Sequence, residues 1–252
     1  MRLNLPRFQC LAIFSFLFSI AIPAIAQVPA APAGSITINR LEESSDWQTC
    51  GSCGNTGGAG ASASYGMTRG ITSPNTDGSS TLFRIGGSRP FKNGYWFIKH
   101  YNNTPSKPLS YLKYEFEVYI PAGLGNAPQA IEFECQQKVG GYLYNFAWQA
   151  DYANHAWRTY DFAAHRWENS GLGFGGLTTG QWHHVIAEFH TSNKHVVHDA
   201  LTIDGVRHRV SIQHAAKHWN SGHYLSNAFQ LDLDGNPTPY HVYVDSMSLT
   251  YK

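Results

Sequence analysis

From Thr81 to Tyr251 the chain falls into short runs in which apolar and polar residues alternate, most of them closed by Gly, Pro or Asn. A period of two marks a strand that buries one face and shows the other. The runs are "TLFRIGG" (81–87), "GYWFIKHY" (94–101), "YLKYEFEVYI" (111–120), "AIEFECQQ" (130–137), "YLYNFAWQAD" (142–151) and "WRTYDF" (157–162). They continue with "WHHVIAEFH" (182–190), "HDALTID" (198–204), "VRHRVSI" (206–212), "FQLDLD" (229–234) and "YHVYVDSMSLTY" (240–251). The "DG" at 204–205 is a two-residue hairpin turn in the making. "SITINRL" (35–41) reads as a first strand, and "QHAAKHW" (213–219) has the composition of a helical turn. So many short strands at this spacing predict an all-β fold, an antiparallel two-sheet β-sandwich or jelly roll.

What precedes the strands is of another kind. Arg2 and Arg7 lead into an apolar run, Leu11 to Ile22, and "AIPAIA" ends on a small-x-small pattern. Residues 1–26 therefore read as a signal peptide cleaved after Ala26. "QVPAAPAG" (27–34) reads as a short extended linker, and 35–252 as a single domain. The expected location is outside the cytoplasm, secreted or periplasmic.

Loss of Arg2 and Arg7, with no acid removed, would turn the formal charge from +1 to −1. A nearly neutral surface argues against nucleic acid or an anionic membrane as the main partner. Aromatics and charged residues each make up 14% of the chain, a low-charge, ring-rich composition. In an oxidising exterior, Cys50 and Cys53 are expected to cross-link the Gly/Ser-rich loop 49–64. A redox pair or half a zinc site fits less well, because no βαβ pattern flanks them and no second CxxC exists. Cys135 is then left as a buried thiol.

The order of "YEFEVYIP", "IEFECQQ", "GQWHHVIAEFH" and "YHVYVDSMSLTY" resembles the concanavalin A-like lectin/glucanase superfamily, over roughly residues 80–251. That resemblance implies two stacked, curved sheets whose concave face forms a glycan-binding cleft. In "IEFECQQ", Ile131, Phe133 and Cys135 share one strand face, and Glu132, Glu134 and Gln136 the other. "FQLDLD" divides in the same way, with Gln230, Asp232 and Asp234 opposite Phe229, Leu231 and Leu233. Glycoside hydrolysis needs two carboxyl groups about the bond, one protonated and one ionised. Glu132, Glu134 and Asp232 are the candidates.

The jelly-roll glucanase signature is E-x-D-x-E, and this chain reads E-F-E-C-Q. Gln136 stands where the proton donor belongs, and an amide cannot donate that proton. A pair drawn from two strands, Glu132 or Glu134 with Asp232 across the cleft, is the other arrangement the fold allows. Gln136, Asn145, Gln149 and Gln230 are expected to hold sugar hydroxyls, with Trp157 and Trp167 as stacking platforms. Trp96 and Trp219 are further candidates for such platforms, while Trp148 and Trp182 are expected to pack inward.

Thirteen histidines form no metal-ligand pattern: "HAAKH" lacks the glutamate of the zinc-protease motif. No cofactor is expected, although a structural calcium ion is compatible with this architecture, and "DLDGN" (232–236) bears a partial likeness to a calcium loop. A polysaccharide is the expected partner. Non-catalytic lectin, hydrolase and ligand-free adhesion sandwich all remain as readings. Lyase chemistry is a lesser one, for which Arg84, Lys99, Arg158 and Arg166 supply cations.

Overall fold

The alternating runs become strands because each can set its apolar row against a facing sheet. The computed structural model describes residues 27–50, 63–88, 90–175 and 177–252. The expected signal peptide lies outside them, and so does Cys53, with the cross-link expected for it. In chain order the strands are β1 Ile36–Ile38, β2 Gln48–Cys50, β3 Ala63–Ile71, β4 Ser80–Gly87, β5 Asn93–His100 and β6 Leu112–Tyr119. Then come β7 Pro128–Val139, β8 Tyr142–Asp151, β9 Ala156–Asp161, β10 Arg166–Gly173 and β11 Trp182–Ser192. The last are β12 His195–Ile203, β13 Val206–Ala215, β14 Lys217–His218, β15 Tyr224–Leu233 and β16 Tyr240–Tyr251.

One sheet has the order β13-β12-β11-β6-β16-β4-β3, with β1 beside β16; the other runs β10-β9-β8-β7-β15-β5-β2, with β14 beside β8. The antiparallel two-sheet sandwich expected from the sequence is thus the fold. Asp204–Gly205 turns between β12 and β13 with both φ positive, at 50° and 80°. That is the signature of the twisted two-residue hairpin that "DG" announces.

Three strands and one turn depart from expectation. Segment 213–219 is not helical: β13 continues through Gln213 and His214, which pair with Val197 and Val196, and β14 follows. Pairing with a neighbour overrides a weak local preference. Strand β3 has a Gly-rich sequence with little strand signal; the bare Gly66 leaves room for the Arg84 guanidinium, which a Cβ would approach to 2.8 Å at Nε. Polar β10 and short β2 were hidden because they form the two edges of their sheet, where apolar alternation is not required.

The two sheets are held together by rings. Phe116 from one sheet sits 5.1 Å from Phe133 and 5.9 Å from Phe229 of the other, and Phe83 sits 5.1 Å from both Trp96 and Phe229. Edge-on and tilted contacts of this kind add to the burial of large apolar area. Cys135 joins this core as a free buried thiol, as expected.

His198 of β12 is also fully buried, edge-on to Trp148, Phe189 and His214 at 5.5, 5.1 and 5.3 Å. Its Nε2 faces the Ala147 carbonyl at 3.1 Å, while Nδ1 has no partner. Burial, and next the neighbouring His214, push the imidazole down to about 3. The unfolded chain takes up this proton near its ordinary value of about 6.5. Stability from the neutral ring is therefore complete above that value and drains away as pH falls through the folded value. The slope is about 1.4 kcal/mol per pH unit for one group. Urea unfolding at about pH 6.5 and about pH 4.5 is expected to show the wild type losing about 2 kcal/mol more than His198→Phe, whose ring does not titrate.

Candidate functional site

Packing Ile131, Phe133 and Cys135 of β7 into the core turns Glu132, Glu134 and Gln136 to the other side of their sheet. Register then assembles the floor. Glu132 lies between Gln149 of β8 and Gln230 of β15; Gln136 lies between Asn145 and Ser226. Glu134 lies between Ala147 and Ala228, two residues too small to cover it. Above this floor is a cleft of about 440 Å³. Tyr95, Phe97 and Lys99 from β5 form one wall, and Tyr160, Phe162 and Trp167 the other.

The floor is a connected polar network. Gln149 Nε2 donates to Glu132 Oε1 at 2.7 Å, and Gln230 Nε2 donates to Glu132 Oε2 at 2.8 Å and to Asp232 Oδ1 at 2.9 Å. Arg158 Nε sits 2.7 Å from Asp151 Oδ2 at its margin. All three candidate carboxyls are buried, and burial is the largest cause of their raised proton affinity. Glu134 and Asp232 are each pushed up to about 7. Glu132 is raised well above the usual carboxylate range, by burial first, then by the nearby charges of Asp232 and Glu134. Glu132 and Asp232 interact directly as well as through Gln230, so their protons belong to the pair.

The expected residues thus divide. Glu132, Glu134, Gln136, Asn145, Gln230 and Trp167 line the cleft. Gln149 and Asp232 belong to the same network as neighbours of Glu132. Asp232 touches Glu132, which corrects the expectation of a partner facing it across open space. Trp157 is no platform: it is 3% exposed and packs on Phe133 and Phe174. The polarity of its surroundings misled, because its neighbours in "AWRTYD" alternate and the Trp takes the inward position. Trp96 is likewise core, and Trp182, expected inside, lies half-buried against Tyr119.

Asn93, Tyr95, Phe97, Tyr160, Phe162, His165, Tyr224 and Ser226 were missed, and Lys99 was named only as a cation for lyase chemistry. In "GYWFIKHY" both rows are aromatic, so alternation of polarity could not tell the cleft row (Tyr95, Phe97, Lys99) from the core row (Trp96, Ile98). The lysine at the end of one row was the available signal.

A second carboxylate group lies elsewhere. Glu42, on the short 3-10 helix Leu41–Glu43, meets Asp77 and Asp245, with one oxygen from each within 4.8 Å of the others. Glu42 Oε2 accepts from the Met247 amide at 2.8 Å, whereas Oε1 is buried with no hydrogen-bond partner. Burial raises Glu42 to about 7. Hard oxygens gathered in this way suit calcium. The "DLDGN" segment does not contribute: Asp232 belongs to the cleft network, and Asp234 accepts from the Asn236 amide.

No family model matches the chain, and no curated protein matches it in sequence. Several solved structures are similar to it. One is a carbohydrate esterase from Shiga toxin-encoding bacteriophage phi24B, at 14% identity over 87% of this chain and 100% of that one, with a TM-score of 0.48. Another is arcelin-5, a lectin-like defence protein from Phaseolus vulgaris, at 12% identity over 87% and 99%, TM-score 0.46. A carbohydrate-binding module of the β-sandwich superfamily aligns at 11% identity and TM-score 0.41 over 80% of this chain; the match spans only 56% of that protein. At such identities and TM-scores none of them bears on ligand or reaction.

The raised carboxyls carry a pH signature. An unfolded glutamate ionises near 4.3, but Glu134 in the fold does so near 7. Its proton therefore stabilises the fold fully at low pH, and that contribution is lost as pH rises through about 7. Glu134→Gln keeps the shape and removes the charge. Between about pH 5 and about pH 8, urea unfolding is expected to show the variant gaining about 2–3 kcal/mol relative to wild type. Parallel curves would mean that Glu134 is well solvated.

Proposed function

We propose that the chain is an exported protein that binds a polysaccharide in the cleft of the β7 sheet. One observation carries this reading: a 440 Å³ trough with ring-bearing walls stands over a floor of amides and carboxyls. Aromatic faces suit the C–H faces of sugar rings, and Gln136, Asn145, Gln230 and Ser226 offer donors and acceptors for hydroxyls. A ligand-free adhesion surface needs no such trough.

A specific feature favours hydrolysis as a second activity of the same site. Burial and the nearby carboxyls hold the proton affinity of Glu132 well above the usual carboxylate range, and Glu134, two positions along the strand, is pushed up to about 7. Their Cα atoms are about 6.5–7 Å apart along the strand. Two carboxyls on one strand face can thus reach the same glycosidic bond. Glu132 would serve as acid and Glu134 as base, with Gln149 and Gln230 orienting the acid.

The test combines gel retardation and reducing-end release on a panel of neutral and charged polysaccharides. Trp167→Ala is expected to weaken retardation about tenfold, ~1.4 kcal/mol. If the site is hydrolytic, Glu134→Gln cuts release by about 10²-fold or more and leaves retardation in place. Retardation without release in wild type identifies a lectin, and silence throughout defeats the carbohydrate reading.

We also propose that Glu42, Asp77 and Asp245 hold a structural calcium ion, supported by the unpartnered buried Glu42 Oε1. A bound ion would tie the N-terminal helical turn to β16. Thermal unfolding is expected to show stabilisation by calcium, about 2.7 kcal/mol at a hundredfold excess over Kd. Chelation should reverse it and Glu42→Gln abolish it. A calcium response that survives Glu42→Gln would place the ion elsewhere.

A further inference from the structure

The two ends of the cleft differ in charge. The carboxyl network occupies one end. At the other, Lys99 of β5 and Lys138 of β7 converge on one ring: their ammonium nitrogens lie 5.3 and 5.2 Å from the centroid of Tyr224. Register explains the convergence, since β15 runs between the two strands, pairing Tyr224 with Lys138 and Ser226 with Lys99. Each lysine rests on a second ring as well, Lys99 on Phe97 at 5.4 Å and Lys138 on Trp219 at 4.3 Å. The Tyr224 hydroxyl donates to Gln136 Oε1 at 3.3 Å, which ties this group to the floor.

Neither ammonium forms an ion pair with a carboxylate among the described residues. Lys138 is instead less basic than usual, through burial first and then through the charge of Lys99. Across the cleft a further cation stands ready. Lys217 donates to Nε2 of the cleft-lining His165 at 2.8 Å and lies over Phe162 at 5.4 Å. The acids of this cleft, Glu132 and Glu134, face the floor toward the other end. Two like charges held together on rings, with no counter-charge supplied by the protein, leave the counter-charge to the ligand.

We infer that the Lys99–Lys138–Tyr224 group is an anion subsite, and that the bound polysaccharide is acidic, bearing carboxylate or sulfate groups. This rests on the reading of the cleft as a glycan site and adds the substrate class to it. The ammonium groups receive the anion, while Tyr224 and Trp219 hold the two lysine stems at the mouth. A lysine accepts an anion as a point charge, so either a planar carboxylate or a tetrahedral sulfate can be served. The polymer's remaining hydroxyls then fall over the amide floor.

The experiment measures retardation of the full chain by alginate, by dextran sulfate and by a neutral β-glucan at low and moderate salt. Wild type is expected to be retarded most by one of the two acidic polymers, more weakly as salt rises. Comparison of those two arms tells a uronate from a sulfate ligand. Lys99→Gln with Lys138→Gln should weaken that retardation about tenfold or more, and Lys99→Arg with Lys138→Arg should largely restore it. Circular dichroism and the unfolding midpoint serve to check that both double variants fold. The inference is overturned, with the glycan reading intact, if the neutral glucan binds as well as either acidic polymer. The same holds if the double Gln variant binds the acidic polymer unchanged. Acidic-polymer binding that ignores Trp167→Ala and Tyr224→Ala would be surface attraction outside the cleft, and also overturns it. If no polymer of the three or of the wider panel binds, the glycan reading itself fails and the subsite falls with it.

Discussion

Phe133 lies between Phe116 of the facing sheet, at 5.1 Å, and Trp157 of its own, at 6.4 Å. Its burial decides the orientation of every other side chain in β7. With Phe133 inward, Glu132, Glu134, Gln136 and Lys138 stand together in the open row. A slip of one residue would drive two carboxyls and an ammonium into the aromatic layer and expose Ile131, Phe133 and Cys135 to water. The cost of burying unpaired charge makes that alternative inaccessible. The position of the candidate site is thus a consequence of how the two sheets stack.

Which parts of this were legible in the sequence follows from the same physics. In β7 and β15 the two rows differ sharply in polarity, so "IEFECQQ" and "FQLDLD" reveal both their strands and the faces of Glu132, Glu134, Asp232 and Gln230. In β5 both rows carry rings, and the split of Tyr95 and Phe97 from Trp96 is visible only in three dimensions. Trp157 and Trp167 sit in one polar stretch, yet β9 buries the first and the edge strand β10 leaves the second at the cleft. Composition reports the neighbourhood of a residue, whereas only register reports its direction. The cations of Lys99, Lys138 and Lys217 come from three strands far apart in sequence, so no local motif could announce them.

The floor also shows how a fold can carry groups that work against it. Three buried carboxyls with raised proton affinity lose stability as they ionise, and an apolar floor of similar volume would not. Partial compensation comes from Gln149 and Gln230, whose amides bond the Glu132 oxygens. Glu134 has no such support from its cross-strand neighbours, because both are alanine. A buried carboxyl that lines the cleft between two small residues is poorly explained by packing, whereas it is well placed to meet a molecule entering from above. Sites that bind or react commonly trade stability in this manner.

Along β7 itself the open row runs Glu132, Glu134, Gln136, Lys138, a span of about 20 Å. Read in that direction, one strand passes from proton-holding carboxyls through an amide to an ammonium. A chain of sugars laid along this row meets different chemistry at each position, and reversing it would exchange an acidic for a basic neighbour. The walls are less directional, since rings stand on both sides. Stacking alone would therefore accept a polymer either way round; the sequence of charges on the floor is what gives the cleft a polarity, and with it a means of setting which end of the proposed glycan would lie over Glu132 and Glu134.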